Sequence, residues 1–234
     1  MKFFDLDSPV MQVLGKVADM LLLNVLALVC CIPLVTIGAS LTALHSVSLK
    51  MARNEECYIT RGFFKAFKEN FRQSTLIWLL LLGVILIIAG DFYIIRSSGL
   101  EINQVIQIII MIVSVFVAFT SIFLFPVQAR FHNTIFRTIK NAFVMSILQF
   151  PKTILMILLN LAPAALLVFV PEMTPLVFLF GLSVPAFLSA MLYNKFFKRL
   201  ENQVLEADGE NAQDASAEDE RIFRDELDQA LAEK

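Results

Sequence analysis

The chain has 234 residues, of which 58% are hydrophobic and 17% charged, and 22 of them are Phe. This composition is too apolar for a soluble globular domain. The net charge of −2 conceals an asymmetry: residues 1–200 hold 16 Lys/Arg against 9 Asp/Glu, a net charge of +7, whereas residues 201–234 hold 3 against 12, a net charge of −9. We therefore predict a membrane domain over residues 1–200 and an acidic cytoplasmic tail over residues 201–234.

Apolar runs long enough to cross about 30 Å of hydrocarbon, which takes about 20 helical residues, recur along the chain. They are Met20–Ile37, Thr75–Ile95, Val105–Phe125, Thr153–Val170 and Thr174–Leu192. We predict an all-α integral membrane protein with five transmembrane helices. The first run contains Pro33 and continues, mostly apolar, to Leu49. It is compatible with one crossing that continues as a broken helix, which we prefer, or with a re-entrant hairpin.

The distribution of basic residues predicts the orientation, because cytoplasmic loops are enriched in Lys and Arg. Thirteen bases lie between spans one and two, between spans three and four, and after span five. Only three lie in the segments on the opposite side. We predict a multi-pass protein of the cell membrane with its N-terminus outside and its C-terminus in the cytoplasm.

A phrase recurs three times, as "LHSVSLKMARN" (Leu44–Asn54), "FHNTIFRTIKN" (Phe131–Asn141) and "LYNKFFKRLEN" (Leu192–Asn202). Each copy has His or Tyr in its second position, a base five residues later and Asn at its end, which is typical of a helix leaving the membrane. The phrase predicts parallel internal repeats. The histidines are expected to be interfacial anchors or, alternatively, regulators that titrate near neutral pH. The interfacial repeat positions are His45, Lys50, His132, Arg137, Tyr193 and Lys198.

The segment "KMARNEECYITRGFFKAFKENFRQ" (Lys50–Gln73) predicts an amphipathic cytoplasmic helix, because its Phe residues recur at helical spacing among charged residues. Such a helix either lies in the membrane interface or docks on a protein. The carboxylates of Glu55, Glu56 and Glu69 are unfavourable beside anionic lipid and therefore favour protein docking. The predicted docking residues are Arg53, Asn54, Glu55, Glu56, Tyr58, Phe63, Phe64, Phe67, Lys68 and Asn70.

The acidic tail has a polar middle that cannot bury enough apolar surface to fold alone. Its end, "RIFRDELDQALAEK", has apolar residues at helical spacing. The end of the tail is therefore compatible either with disorder or with a short amphipathic helix.

Signals for chemistry are missing from the sequence. It has no Gly-rich phosphate loop and no pair of carboxylates in an apolar setting, so we expect no enzyme, no cofactor and no nucleic-acid partner. Two histidines with one distant cysteine do not have the spacing of a metal site. No Asp, Glu, Lys or Arg lies at mid-depth in the membrane, which argues against a coupled transporter. Asn24 and Asn160 are expected to form hydrogen bonds across helices.

The most distinctive motifs are "IPLVTIGASLTAL" (Ile32–Leu44), Lys50, the pair Glu55 and Glu56, Tyr58, and "FFKAFKENFRQ" (Phe63–Gln73). In these motifs the chain resembles the YesL family of small multi-pass membrane proteins from Gram-positive bacteria, which carry a domain of unknown function. The resemblance spans residues 1–200 and is specific over the first 75. The family pattern usually has Tyr where His45 stands.

The resemblance implies an association with carbohydrate ABC importers and sensor systems, and it implies no catalytic residue. We therefore expect a non-catalytic accessory protein of carbohydrate uptake that docks partners through its cytoplasmic face. Its expected partners are the lipid bilayer and other membrane proteins, including ABC importer subunits. The alternative is a small solute transporter or channel.

Overall fold

The structure is a computed structural model and describes residues 9–55, 58–97, 104–131, 133–203 and 205–206. These residues form helices and connecting loops without a strand, which confirms the predicted all-α class. The helices are α1 (Pro9–Cys31), α2 (Ile37–Ala52), α3 (Ile59–Ser97), α4 (Gln104–Arg130), α5 (Ile135–Leu148), α6 (Phe150–Phe169), α7 (Thr174–Phe180) and α8 (Ser183–Gln203). Two short 3₁₀ turns, Leu34–Thr36 and Pro171–Met173, precede α2 and α7.

Five of the described helices, α1, α2, α3, α4 and α6, are long and apolar enough to cross a membrane. The pair α7 and α8 would make a sixth span, bent by 60° at its break. The prediction of a multi-pass helical protein is therefore confirmed, but the set of spans differs from the predicted one. The predicted run Met20–Ile37 extends from α1 to the first residue of α2, and the predicted run Thr174–Leu192 includes the break between α7 and α8.

Helices α1 and α2 form an antiparallel hairpin. The hydroxyl of Ser40 donates to the carbonyl oxygen of Ala27 at 2.9 Å, and Lys16 Nζ, near the start of α1, donates to Asn54 Oδ1, just after α2, at 2.8 Å. The chain therefore reverses at Pro33 and returns to the end from which it started. The preferred single crossing is wrong, because the start of α1 lies beside Asn54 rather than on the opposite side. The N-terminal end of α1 and the Arg53–Arg72 segment consequently share one side.

Helix α2 packs antiparallel to the first half of α3. Trp78 Nε1 donates to the Leu34 carbonyl oxygen at 2.8 Å, and Thr42 Oγ1 donates to Ser74 Oγ at 2.9 Å. Gly38 lies against the Ser74 carbonyl and Trp78, where a Cβ atom would overlap both. The core of the first three helices and the start of α8 contains Leu23, Ala27, Ala43, Leu44, Val47, Met51, Ile59, Phe63, Ala66 and Ala186. Small residues here let the helix backbones approach closely.

Helices α4 and α5 form a second antiparallel hairpin. Thr138 Oγ1 donates to Gln128 Oε1 at 3.2 Å, and the Phe116 and Phe143 rings lie 5.7 Å apart. Each of the two hairpins, α2–α3 and α4–α5, turns directly after an Ala-Arg pair, which ends at Arg53 in the first and at Arg130 in the second. The copies of the predicted phrase have different local structures, because Asn54 follows the end of α2 whereas Asn141 lies inside α5.

The chain divides into two compact units, Met1–Leu192 and Tyr193–Lys234. The described residues of the second unit are helical, and the Tyr193 and Phe197 rings lie 4.6 Å apart. The predicted terminal helix of the acidic tail lies outside the described residues. The boundary predicted after residue 200 stays a prediction.

Candidate functional site

A sharp turn joins α2 to α3 and fixes the start of the predicted docking segment. Asn54 has a left-handed backbone (φ 53°), which Asn tolerates better than most residues. The Glu55 N–H donates to the Lys50 carbonyl at 3.0 Å and the Asn54 N–H to the Met51 carbonyl at 3.2 Å. This is a Schellman motif, which satisfies carbonyl groups at the end of α2. It directs the chain back along α2 into α3.

The first four turns of α3 have one buried and one exposed face. The buried face consists of residues three or four positions apart: Ile59, Phe63, Ala66, Asn70 and Ser74. The bases repeat at the same spacing on the exposed face: Arg61, Lys65, Lys68 and Arg72. Residues that recur at this spacing share one side of a helix, so the buried set packs on the bundle and the basic set faces away from it.

The predicted docking residues are divided between these two faces. Phe63 and Asn70 are buried, and the Arg53 side chain is only 6% exposed beside Glu55, with 3.9 Å between the nearest charged atoms. Phe67 is half-buried and stacks on Phe63 at 6.2 Å. Phe63 and Asn70 are therefore part of the packed bundle, whereas Arg53 and Phe67 lie at its edge.

The remaining docking residues that the structure describes are exposed. Tyr58 is 84% and Phe64 is 42% exposed, and Asn54, Glu55 and Lys68 are also at the surface. Glu56 lies outside the described residues. We define the α3 outer face by its exposed residues Tyr58, Arg61, Phe64, Lys65, Lys68 and Glu69. Sequence reasoning placed Arg61 and Lys65 in this segment but did not single them out as docking residues.

The interfacial repeat positions have different local structures. His45 is buried in the middle of α2, and Lys50 is half-buried one turn later. Arg137 is exposed in the first turn of α5. Tyr193 is buried and Lys198 exposed, both within α8. His132 lies outside the described residues. A shared anchoring role does not fit positions that are buried in one helix and exposed in another.

The side chain of Asn24 forms hydrogen bonds with backbone groups at the break between α7 and α8. Its Nδ2 donates to the Phe178 carbonyl at 2.8 Å, and its Oδ1 accepts the N–H groups of Leu182 and Ser183 at 2.8 and 2.9 Å. A broken helix leaves backbone groups without their intrahelical partners, and these groups need other partners inside a membrane. The prediction that Asn24 bonds across helices is confirmed. The same prediction for Asn160 is wrong, because its Nδ2 donates to Met156 in its own helix at 2.8 Å.

A cavity of about 360 Å³ lies beside this break, between α1, α2, α6 and α7. Its walls are apolar, with Leu28, Leu41 and Phe178 among them, and its polar side chains are His45 and Asn160. This volume lies within the range of small-molecule sites. Among the described residues no group of three or more His, Cys, Asp or Glu could hold a metal ion.

The described residues define a multi-pass, helical membrane protein in which α2 is the most buried of the five candidate spans. Residues 20–92 match the family described as "Protein of unknown function, DUF624". The match begins in α1 and ends in α3, and it includes the α3 outer face. No curated protein and no solved structure matches the chain.

Proposed function

We propose that this protein is a non-catalytic accessory protein of the cell membrane that binds a carbohydrate ABC importer through the α3 outer face. The observation that carries the proposal is the division of α3 into a buried face and an exposed face that combines aromatic and charged side chains. Aromatic residues and Arg are enriched in protein interfaces. The resemblance to the YesL family supports the importer as the partner.

The mixed charge of the α3 outer face favours a protein partner over lipid alone. Glu69 lies 3.9 Å from Lys65, one helical turn away. An anionic membrane surface attracts bases and repels such carboxylates. A protein surface can match both signs, and charge complementarity then contributes to specificity.

Charge reversal on the α3 outer face tests this proposal. We expect R61E/K68E to abolish co-purification of the importer's membrane and nucleotide-binding subunits from native membranes, measured by quantitative mass spectrometry. The matched control is R137E/K140E, which reverses two exposed bases on α5 and changes the net charge equally. Retention of the importer by R61E/K68E, or equal loss in both variants, would contradict docking through this face.

For the topology, we propose that the α3 outer face is cytoplasmic, because basic residues predominate there. The start of α1 lies beside Asn54, so it shares this side. Single cysteines at Lys16 and Asn54, in a background without the native cysteines, should both react with an impermeant thiol reagent only after cell lysis. Labelling of both in intact cells would reverse the orientation, and labelling of one alone would contradict the hairpin.

A small solute carrier or channel is the second candidate function. It is favoured by the break between α7 and α8 beside the cavity that contains His45, because discontinuous helices line solute sites in many transporters. Liposomes that contain this protein alone separate the two functions. Under the accessory function we expect glucose efflux no faster than from empty liposomes. Faster efflux that His45→Phe abolishes would favour the carrier.

A further inference from the structure

A groove of about 1060 Å³ separates α3 from the beginning of α5. The side chains that form its two walls are Arg72, Leu76, Leu79 and Leu80 from α3 and Ile135 and Phe136 from α5. Gln73 and Asn133 also line the groove, and the Gln73 Nε2 donates to the Asn133 carbonyl oxygen. This contact joins α3 to the loop between α4 and α5, so a hydrogen bond holds the two walls of the groove together.

The groove is polar at one end and apolar along its length. Arg72 is the last of the four regularly spaced bases of α3, and the helix is apolar from Leu76 to Gly90. Leu76, Leu79 and Leu80 are each about half exposed, and Phe136 is 84% exposed. The groove thus crosses the level at which α3 changes from a charged to an apolar helix. In a membrane, this is the level of the lipid headgroups.

We propose that this groove binds one anionic phospholipid, with its phosphate beside Arg72 and an acyl chain along Leu76, Leu79 and Leu80. Charge and polarity both support this occupant. The lining residues, all of them in the described part of the chain, include one guanidinium and no carboxylate. Guanidinium groups bind phosphate through paired hydrogen bonds, and basic pockets between membrane helices bind lipid headgroups.

A free phosphate could bind Arg72 in the same way as a lipid headgroup, but it would leave Leu76, Leu79 and Leu80 uncovered. A phospholipid would cover both the basic and the apolar residues of the groove. A protein partner is less well matched, because the apolar wall continues into the part of α3 that crosses hydrocarbon. The lipid site includes none of the six residues that define the α3 outer face. Its failure would leave the proposed docking function intact, and the two are tested by different variants.

Lipid binding to the full-length protein in detergent micelles can be counted by native mass spectrometry. The probe is dioleoyl phosphatidylglycerol, and dioleoylglycerol is its analogue without phosphate. We expect one phosphatidylglycerol to bind saturably and the neutral analogue to bind at least about fivefold more weakly, as expected for losing one basic contact near a membrane surface. Glycerol phosphate, which lacks the chains, should not compete at the same concentration.

Two matched pairs of variants locate the site. Arg72→Gln should weaken phosphatidylglycerol binding about fivefold. Arg137→Gln, the same change at an exposed base outside the groove, should leave binding within twofold. Leu79→Ser should weaken binding about fourfold, the equivalent of one buried methylene, whereas Leu86→Ser on the same helix outside the groove should not.

Each outcome of these experiments either supports or contradicts the lipid site. Selective losses in Arg72→Gln and Leu79→Ser would support the lipid site. Equal losses in Arg72→Gln and Arg137→Gln would show general electrostatic attraction and overturn it. Equal binding of dioleoylglycerol would show that phosphate is not recognised. Competition by glycerol phosphate would assign the site to a free phosphate ester instead of a lipid.

Discussion

Helix α2 is more polar than helix α4, and a larger share of its residues is buried. Eleven of the 16 residues of α2 are buried, and these include Ser40, Thr42, His45 and Ser48. Helix α4 is far more apolar, yet only six of its 27 residues are buried, all between Phe123 and Gln128. Hydrocarbon solvates large apolar side chains, so membrane helices associate through small residues and hydrogen bonds instead. The least apolar of the five candidate spans is therefore the packed centre of this protein.

This contrast predicts that a substitution at a packed position of the α1–α3 assembly costs more than the same substitution on a surface that lipid can cover. Pairs of identical changes can test the difference, because each pair holds the chemistry constant and varies only the surroundings.

The largest loss is expected for Gly38→Ala. A Cβ atom at Gly38 would overlap the Ser74 carbonyl oxygen, and backbone atoms cannot move away as a flexible side chain can. We expect the free energy of unfolding in mixed micelles to fall by about 3 kcal/mol or more, the upper range for overpacking. Gly83→Ala is the control, because nothing lies near its Cβ position; it should stabilise α3 by about 0.5–1 kcal/mol. Equal effects of the two changes would mean that α2 and α3 are not in close contact.

The second loss concerns Asn24, which forms three hydrogen bonds at the break between α7 and α8. Asn24→Leu keeps the side-chain volume but leaves the Phe178 carbonyl and two N–H groups without their partner. We expect a loss of about 2–3 kcal/mol, since interhelical hydrogen bonds in membranes contribute roughly 0.6–1.7 kcal/mol each. The measurement is again unfolding in mixed micelles.

Asn160→Leu is the matched control for that change. Asn160 is exposed and bonds only within α6 in the contacts described above, so its replacement should change stability by less than about 0.5 kcal/mol. A control loss as large as that of Asn24→Leu would mean that the two amides are equivalent. The three hydrogen bonds of Asn24 at the break between α7 and α8 would then not be a specific source of stability.

The sequence allowed the helical class and most spans to be predicted, because apolar length alone identifies helices such as α4. It did not separate α2 from α1. Polar residues such as Ser40, Thr42 and Ser48 make α2 look like a continuation toward the cytoplasm, and only its packing against α1 and α3 shows that it turns back. The sequence also did not show that Asn24 bonds to other helices and Asn160 only to its own. Both are Asn residues within apolar runs, so their local sequences predict the same role.

The amphipathic helix in the segment Lys50–Gln73 was predicted correctly, but which of its faces is buried was not predicted. Aromatic residues occur on both faces of α3, so Phe63 and Phe64 are indistinguishable by composition. The distinguishing pattern is the spacing of Ile59, Phe63, Ala66, Asn70 and Ser74, which mixes large, small and polar residues. That mixture is typical of a helix packed inside a membrane protein, and a search for hydrophobic periodicity alone does not find it.

The smallest effect is expected at the contact between Thr42 and Ser74, where the two hydroxyl oxygens lie 2.9 Å apart. The Thr42 hydroxyl also lies 2.9 Å from the Gly38 carbonyl in its own helix, so the loss of Ser74 leaves it a second acceptor. A double-mutant cycle of Thr42→Val and Ser74→Ala should therefore give a coupling energy of about 0.6 kcal/mol, near the average for membrane helices. The cycle isolates the pair, because the bond to Gly38 is lost in both variants that carry Val at position 42. A coupling above about 1.5 kcal/mol would show that this hydroxyl pair dominates the α2–α3 contact. In that case the close approach at Gly38 would be a consequence of the hydrogen bond and not the main source of stability.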